Sequence, residues 1–258
     1  MKKSLFVVCL AAAVMMLASC QNATKKAMRA AIQIQVEGIK SQMPIPVPTV
    51  QGMSLVDVMM KGDMVVYTVQ LTDTTQMIQD PAVLNSDKNY ARTLSNMDST
   101  AVNQLVAAEV GLQYNYVTAD GKAYSQLVIE PQKMKDIRDR MRSGELKPYS
   151  VLEMSQIEIN QMQLPAQVSD ILWLTDAVVK DNFIIYEFTF EAQIEKSDIS
   201  DAEWDEIRMN TADGLRESPL IMNARQEIVD KDIHFSYVYK DVRDTILTIF
   251  DITSAELF

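Results

Sequence analysis

Residues 61–71 read KGDMVVYTVQL, and residues 180–190 read KDNFIIYEFTF. At a spacing of 119 residues, Val65, Val66, Tyr67, Val69 and Leu71 fall on Ile184, Ile185, Tyr186, Phe188 and Phe190. The same spacing sets Pro46 on Pro165 and Val58-Met59-Met60 on Ala177-Val178-Val179. Upstream, QIQVEGIK at 33–40 echoes QIEINQMQ at 156–163; downstream, Leu112, Tyr114 and Tyr116 match Ile233, Phe235 and Tyr237 at a spacing of 121. Four matches in the same order, with spacings that drift as loop insertions would make them drift, predict an internal duplication. A duplicated chain must fold as two similar units, each burying its own apolar face.

Within each copy, β-branched and aromatic runs flank Lys61-Gly62-Asp63 and Lys180-Asp181-Asn182, which predicts hairpins. Helical stretches follow. In the second copy Ser200-Asp201-Ala202-Glu203 has the pattern of a capping box, and Pro219 should divide the helical region. In the first, Asp98-Ser99-Thr100 divides it, and Val102, Leu105, Val106 and Val110 are spaced for one buried face. A second hairpin then closes each copy, turning at Asp120-Gly121 in the first and at Lys240-Asp241 in the second.

The expected fold is α+β: a tandem of two units, each a four-stranded antiparallel sheet with helices on one face. The boundaries are a signal segment at 1–19, a tether and N-terminal helix at 20–42, the first repeat at 43–130, a charged helical connector at 131–150 and the second repeat at 151–258. The connector carries an apolar stripe of Met134, Ile137 and Met141. Met28, Ile32, Val36, Ile39 and Met43 have helical spacing, although Ile32 to Val36 also alternates like a strand. Residues 156–163 are open to either reading.

The first residues give the chain an address. Met1-Lys2-Lys3 precedes an uncharged apolar stretch from Ser4 to Ser19, the length of a signal-peptide core and short of a membrane span. Leu17-Ala18-Ser19-Cys20 resembles the lipobox of bacterial lipoproteins. The resemblance implies cleavage before Cys20, diacylglycerol on its thiol and acylation of the new amino terminus, so that more than one acyl chain anchors the protein to a membrane. Gln21 after the cysteine resembles outer-membrane-sorted lipoproteins, and the tether Gln-Asn-Ala-Thr-Lys-Lys lacks the acidic run of surface-exported ones. The implied place is the cell envelope, lipid-anchored to the outer membrane on its periplasmic face.

Composition narrows the chemistry. The net charge is −11 for the whole chain and grows more negative once Lys2 and Lys3 leave with the leader. Nucleic-acid binding, which depends on Lys and Arg neutralising phosphates, is not expected. Cys9 leaves with the leader and Cys20 carries lipid, so no disulfide, thiol nucleophile or cysteine metal site is expected. His234, the single histidine, faces a polar side of its strand and is not expected to act as a base or a ligand. Seven scattered glycines form no phosphate-binding loop.

Asp198, Asp201, Glu203, Asp205 and Glu206 form the densest acidic run, read as helix N-terminal charge rather than a calcium loop. Lys133, Lys135, Arg138, Arg140 and Arg142 read as a solvated helix face with Asp136 and Asp139 in pairing distance. Trp173 and Trp204 are expected as core anchors, and the methionines that remain once Met1, Met15 and Met16 leave with the leader mainly as core filling. No catalytic, cofactor or metal residue is assigned. The expectation is a non-catalytic lipoprotein that binds another envelope protein or a ligand, the layout resembling small helix-plus-sheet lipoprotein domains and tandem-repeat inhibitors. The alternatives are a hydrolase of cell-wall or glycan material using paired carboxylates, and a carrier holding an apolar molecule between helix and sheet.

Overall fold

The computed structural model describes residues 21–46, 52–72 and 80–258. The signal segment and Cys20 lie outside the described residues. The chain divides into two compact units, Met1–Tyr149 and Ser150–Phe258.

Unit 1 runs α1 (Gln21–Lys40), β1 (Ile45–Pro46), β2 (Met53–Lys61), β3 (Met64–Leu71), α2 (Pro81–Leu84), α3 (Asp87–Ser95), α4 (Ser99–Ala108), β4 (Gly111–Thr118), β5 (Ala123–Ile129) and α5 (Pro131–Ser143). Unit 2 repeats the order as α6 (Val151–Gln161), β6 (Ala166–Ser169), β7 (Leu172–Lys180), β8 (Phe183–Phe190), α7 (Asp201–Glu217), α8 (Pro219–Asn223), α9 (Arg225–Asp230), β9 (His234–Lys240), β10 (Ile246–Ile252) and α10 (Ser254–Leu257). The sheets have the orders β1-β2-β3-β4-β5 and β10-β9-β8-β7-β6.

Each sheet therefore has five strands, not four, and is mixed, not antiparallel. The hairpins exist as expected, but they join through parallel pairs, β3 with β4 and β8 with β9. A connection that leaves one end of a strand and returns through helices to the other end delivers a parallel neighbour. Alternation reveals strands, not the sense in which two hairpins meet. The fifth strand in each unit, β1 or β6, is short and follows an X-Pro bond in cis, Met43–Pro44 and Leu164–Pro165.

Strand pairing corrects the equivalences between the copies. The first hairpins keep the spacing of 119, down to matching bulges between Leu55 and Asp57 and between Leu174 and Asp176. In the second hairpins, Leu112 lies opposite Val65 and Phe235 opposite Ile184, a spacing of 123. Tyr114 and Tyr116 therefore correspond to Tyr237 and Tyr239, and Gly111 to His234. A shift of two residues keeps every side chain on its own face, so alternation cannot tell 121 from 123; the ladder can. The edge strands behave likewise, with Pro44, not Pro46, matching Pro165. The second turn of unit 2 runs from Asp241 to Thr245, with Asp244 at φ 65 where unit 1 has Gly121 at φ 80. Lys240 is the last residue of β9, not part of that turn.

Both segments of ambiguous period are helices. Ile32 and Val36 of α1 are buried in the unit 1 core with Met28, Ile39 and Met43 packed against it, so α1 belongs to that core along its length from Met28. Met134 and Ile137 of α5 are fully buried in the same core, with Met141 at its margin. The charged connector is thus a packed helix of unit 1. The unit 2 core gathers Ile184, Ile221, Ile228, Ile233, Leu247 and Ile252 under α6 to α10. Capping follows the sequence: Asp98 caps α4, Ser150 and Glu153 form a capping box on α6, and Ser200 and Glu203 one on α7.

Candidate functional site

The residues singled out by type fall into structural roles. His234 projects from the sheet face opposite Ile233 and Phe235, with Nε2 3.1 Å from an Asp232 carboxylate oxygen and its ring stacked on Phe183 at 4.8 Å. In the acidic run, Asp198 and Glu203 close capping boxes, and hydrogen bonds from the Ser200 side chain and backbone hold the Glu203 carboxyl below the usual range. In the basic cluster, Lys133 and Arg140 both grip Asp87 at 2.6 Å, Lys135 and Arg138 pair with Asp139, and Arg142 donates to Asn103. Lys133, then Arg140, holds Asp87 below the usual carboxylate range. Trp204 is a core residue, but Trp173 is only half-buried and donates its indole N–H to Glu191 at 2.6 Å. The described residues hold no cluster of three or more His, Cys, Asp and Glu able to bind a metal.

The arrangement that type-by-type reading missed is a pair of tyrosine rows on the helix-covered faces of the sheets. In unit 1, Tyr67 lies opposite Tyr114 across the parallel ladder, with ring centroids 5.0 Å apart, and Tyr114 stacks on Tyr116 at 6.5 Å. In unit 2, Tyr186 lies opposite Tyr237 at 5.6 Å, and Phe188 sits between Tyr237 and Tyr239 at 6.3 and 5.0 Å. Phe250 of β10 adds a ring at 5.4 Å from Tyr237 and 5.8 Å from Tyr239. The three tyrosines occupy equivalent positions in both units.

None of these six hydroxyls has a hydrogen-bond partner among the described residues. Tyr67, Tyr114, Tyr116 and Tyr186 are half-buried; Tyr237 and Tyr239 are 8% and 6% exposed. Burial pushes Tyr116 and Tyr186 up to about 12 and lifts Tyr67, Tyr114, Tyr237 and Tyr239 above the ordinary phenol value. Buried tyrosines ordinarily satisfy the O–H. Here the six oxygens are not among the sealed partnerless atoms of the described residues, so they reach solvent from half-buried or buried rings at matching positions.

Further partnerless groups lie beside the rows. Ser125, directly across from Tyr116, has a buried Oγ without a partner. In unit 2 the Trp204 ring stands 5.3 Å from Tyr239, and its Nε1–H is buried and partnerless, as is Nε of Arg208 one turn later on α7. Arg208 Nη2 donates to Glu256.

Comparison with known proteins leaves the family open. No family model matches the chain, and no curated protein matches it. Two solved structures are similar: a secreted protein from Pseudomonas aeruginosa, at 11% identity and a TM-score of 0.34, covering 42% of this chain and 93% of that one, and the pilotin of the Vibrio vulnificus type 2 secretion system, at 10% identity and a TM-score of 0.34, covering 44% and 96%. Likeness at this level bears on neither fold nor function.

Chemically, the rows can bind better than they can react. A phenol held above its ordinary pKa stays protonated at neutral pH and serves as a hydrogen-bond donor or acceptor beside an apolar ring. The carboxylates with resolved shifts, Asp87, Glu109, Asp120, Asp139, Glu203 and Asp241, are all lowered. A glycosidase acid needs the opposite shift.

Proposed function

We propose that this chain is a lipid-anchored protein of the bacterial envelope that binds a ligand without transforming it, in a recess between sheet and helices in each unit. The anchor is the acylated Cys20, in the outer membrane and facing the periplasm. The observation that carries the binding role is the repeated trio of partnerless tyrosines, Tyr67, Tyr114 and Tyr116 in one unit and Tyr186, Tyr237 and Tyr239 in the other. Six phenols that no side chain engages can each donate to or accept from a ligand beside an apolar ring face. An apolar ring face with a few convergent hydroxyls is the make-up of a small-molecule site more than of a protein-docking surface.

The test is made on protein purified from its native host. Its intact mass should equal the chain from Cys20 onward plus a diacylglycerol and an acyl group. Organic extraction of the same sample should release a compound of defined mass. An unmodified thiol at Cys20 contradicts the anchor, and an extract with no such compound contradicts the binding role.

A further inference from the structure

An open sheet has two edges, and each presents backbone N–H and C=O groups that recruit any strand able to reach them. Among the described residues, three of the four edges of the two sheets are blunted. Strand β1 has two residues, one of them Pro46, which carries no N–H. Strand β6 has four and is broken by a bulge between Gln167 and Ser169. Strand β5 is capped by a side chain: Asn85 donates through Nδ2 to the Gln126 carbonyl oxygen at 3.2 Å and accepts from the Val128 N–H at 3.3 Å. An asparagine amide thus stands where a neighbouring strand would. Strand β10 is different. It has seven residues, and Ile246 and Ile249 on it are 52% and 54% exposed.

The ladder identifies which groups of β10 are open. Gln126 and Val128 pair with Asn115 and Gln113, and at the spacing of 123 the corresponding pairs are Ile249 with Val238 and Asp251 with Ser236. In an antiparallel strand a residue turns its N–H and C=O to the same side. Ile249 and Asp251 therefore turn theirs away from β9, as Gln126 and Val128 turn theirs away from β4. No described residue bonds to those groups. The bulge of β10 falls at its start, between Ile246 and Thr248, and leaves Thr248 to Ile252 regular.

We infer that β10 pairs with β10 of a second copy of this chain, antiparallel about a two-fold axis at Phe250. That axis sets Ile249 of each copy opposite Asp251 of the other, so every open N–H and C=O of these residues meets its counterpart. The side chains agree with the register. Ile249 and Asp251 share the sheet face away from the helices, and the pairing opposes an aliphatic group to a carboxylate. An axis at Asp251 would set two aspartates directly opposite, which is destabilising. An axis at Ile249 would need Leu247, the bulged residue, opposite Asp251. On the helix-covered face, Phe250 stacks on Tyr237 at 5.4 Å and meets Phe250 of the other copy in a non-hydrogen-bonded pair, where side chains approach closest. A strand of another protein would bond the same groups, but β10 complements itself without any sequence from outside. The contact is two-fold and closed, so no open edge is left for a third copy.

The test uses the chain from residue 20 to 258 with Cys20→Ser, which holds no other cysteine because Cys9 lies upstream, so the outcome does not depend on the anchor. Sedimentation velocity should show a dimer that dissociates on dilution. Ile249→Glu sets a like charge against Asp251 twice in each dimer and should raise the dimer Kd about tenfold or more. Ile249→Lys sets an opposite charge there and should leave the Kd unchanged or lower it. Ile249 is exposed, so circular dichroism should show an unchanged fold for both. Ile249→Cys and Asp251→Cys chains, oxidised as a mixture, should form a disulfide-linked pair. Either alone should not, since the diagonal across the ladder, about 7–8 Å, exceeds disulfide reach. A chain that stays monomeric at every concentration would overturn the self-pairing and leave the edge to a strand of another protein. A dimer indifferent to Ile249→Glu would overturn the β10 contact. A dimer weakened equally by Glu and Lys, or cross-linked by either cysteine alone, would overturn the axis at Phe250.

Discussion

Tyr67 and Tyr114 face one another across the parallel junction of β3 and β4, rings 15° from coplanar and centroids 5.0 Å apart. Tyr186 and Tyr237 hold the same relation across the junction of β8 and β9. Parallel pairing at the centre of each sheet is what brings them together, since it sets the fourth residue of each strand opposite the fourth of its neighbour. Had the hairpins met antiparallel, the two tyrosines would be opposite only by coincidence of length.

Their protonation is directly measurable. The chain has nine tyrosines, and burial raises seven: Tyr67, Tyr90, Tyr114, Tyr116, Tyr186, Tyr237 and Tyr239. Absorbance of tyrosinate in the native protein should fall well short of nine phenols as pH passes about 10, the ordinary phenol value, and reach nine only on unfolding. A raised pKa means the folded state holds protons that the unfolded chain releases. Stability is therefore complete below about pH 10 and is lost as pH climbs through the folded values, about 12 for Tyr116 and Tyr186. Nine phenols titrating together near 10 in the folded protein would contradict the burial of both rows.

The helix α5 should matter to unit 1 as core. Ile137 is fully buried there, so Ile137→Ala should lower stability by about 2–5 kcal/mol in urea unfolding, the range for removing buried methyl groups. A change under about 0.5 kcal/mol, typical of surface positions, would return α5 to the role of a solvated connector.

Gly111 is the position where the copies differ most sharply. A Cβ there would meet the Ile129 carbonyl oxygen and the Met64 sulfur, both at 2.5 Å. The methionine can swing away, but the carbonyl is held in the β4–β5 ladder. Gly111→Ala should cost about 1–3 kcal/mol, the penalty of overpacking, read as a lower urea midpoint. In unit 2 the equivalent residue is His234, whose ring stacks on Phe183 in the place of Met64. His234→Ala should leave that ladder intact, and a loss as large as that of Gly111→Ala would contradict the equivalence.

Much of this architecture was legible in the residues. The hairpins flanking Gly62 and Asp181, the capping boxes at Ser200 and the stripe Met134, Ile137 and Met141 all followed from period and local hydrogen bonding. What escaped were properties of pairing. A two-residue shift preserves every face, which hid the match of Tyr116 with Tyr239, and the sense of strand pairing leaves no trace in alternation. The tyrosine rows were hidden for a related reason. Tyr67 and Tyr186 were aligned from the start, but a tyrosine on an apolar strand face reads as core, and only the structure reveals that no O–H partner accompanies it. Trp204 and Arg208 could not have been distinguished from Trp173 and Arg216, because their distinction is what they lack.

The most direct test of the two-recess claim is native mass spectrometry of the lipid-anchored chain, released gently from envelopes of its own host. The expected spectrum shows up to two noncovalent ligands per chain, with Tyr114→Phe and Tyr237→Phe each lowering the occupancy of one site while the fold is kept. A spectrum of the bare acylated chain alone, unchanged by either substitution, would contradict it.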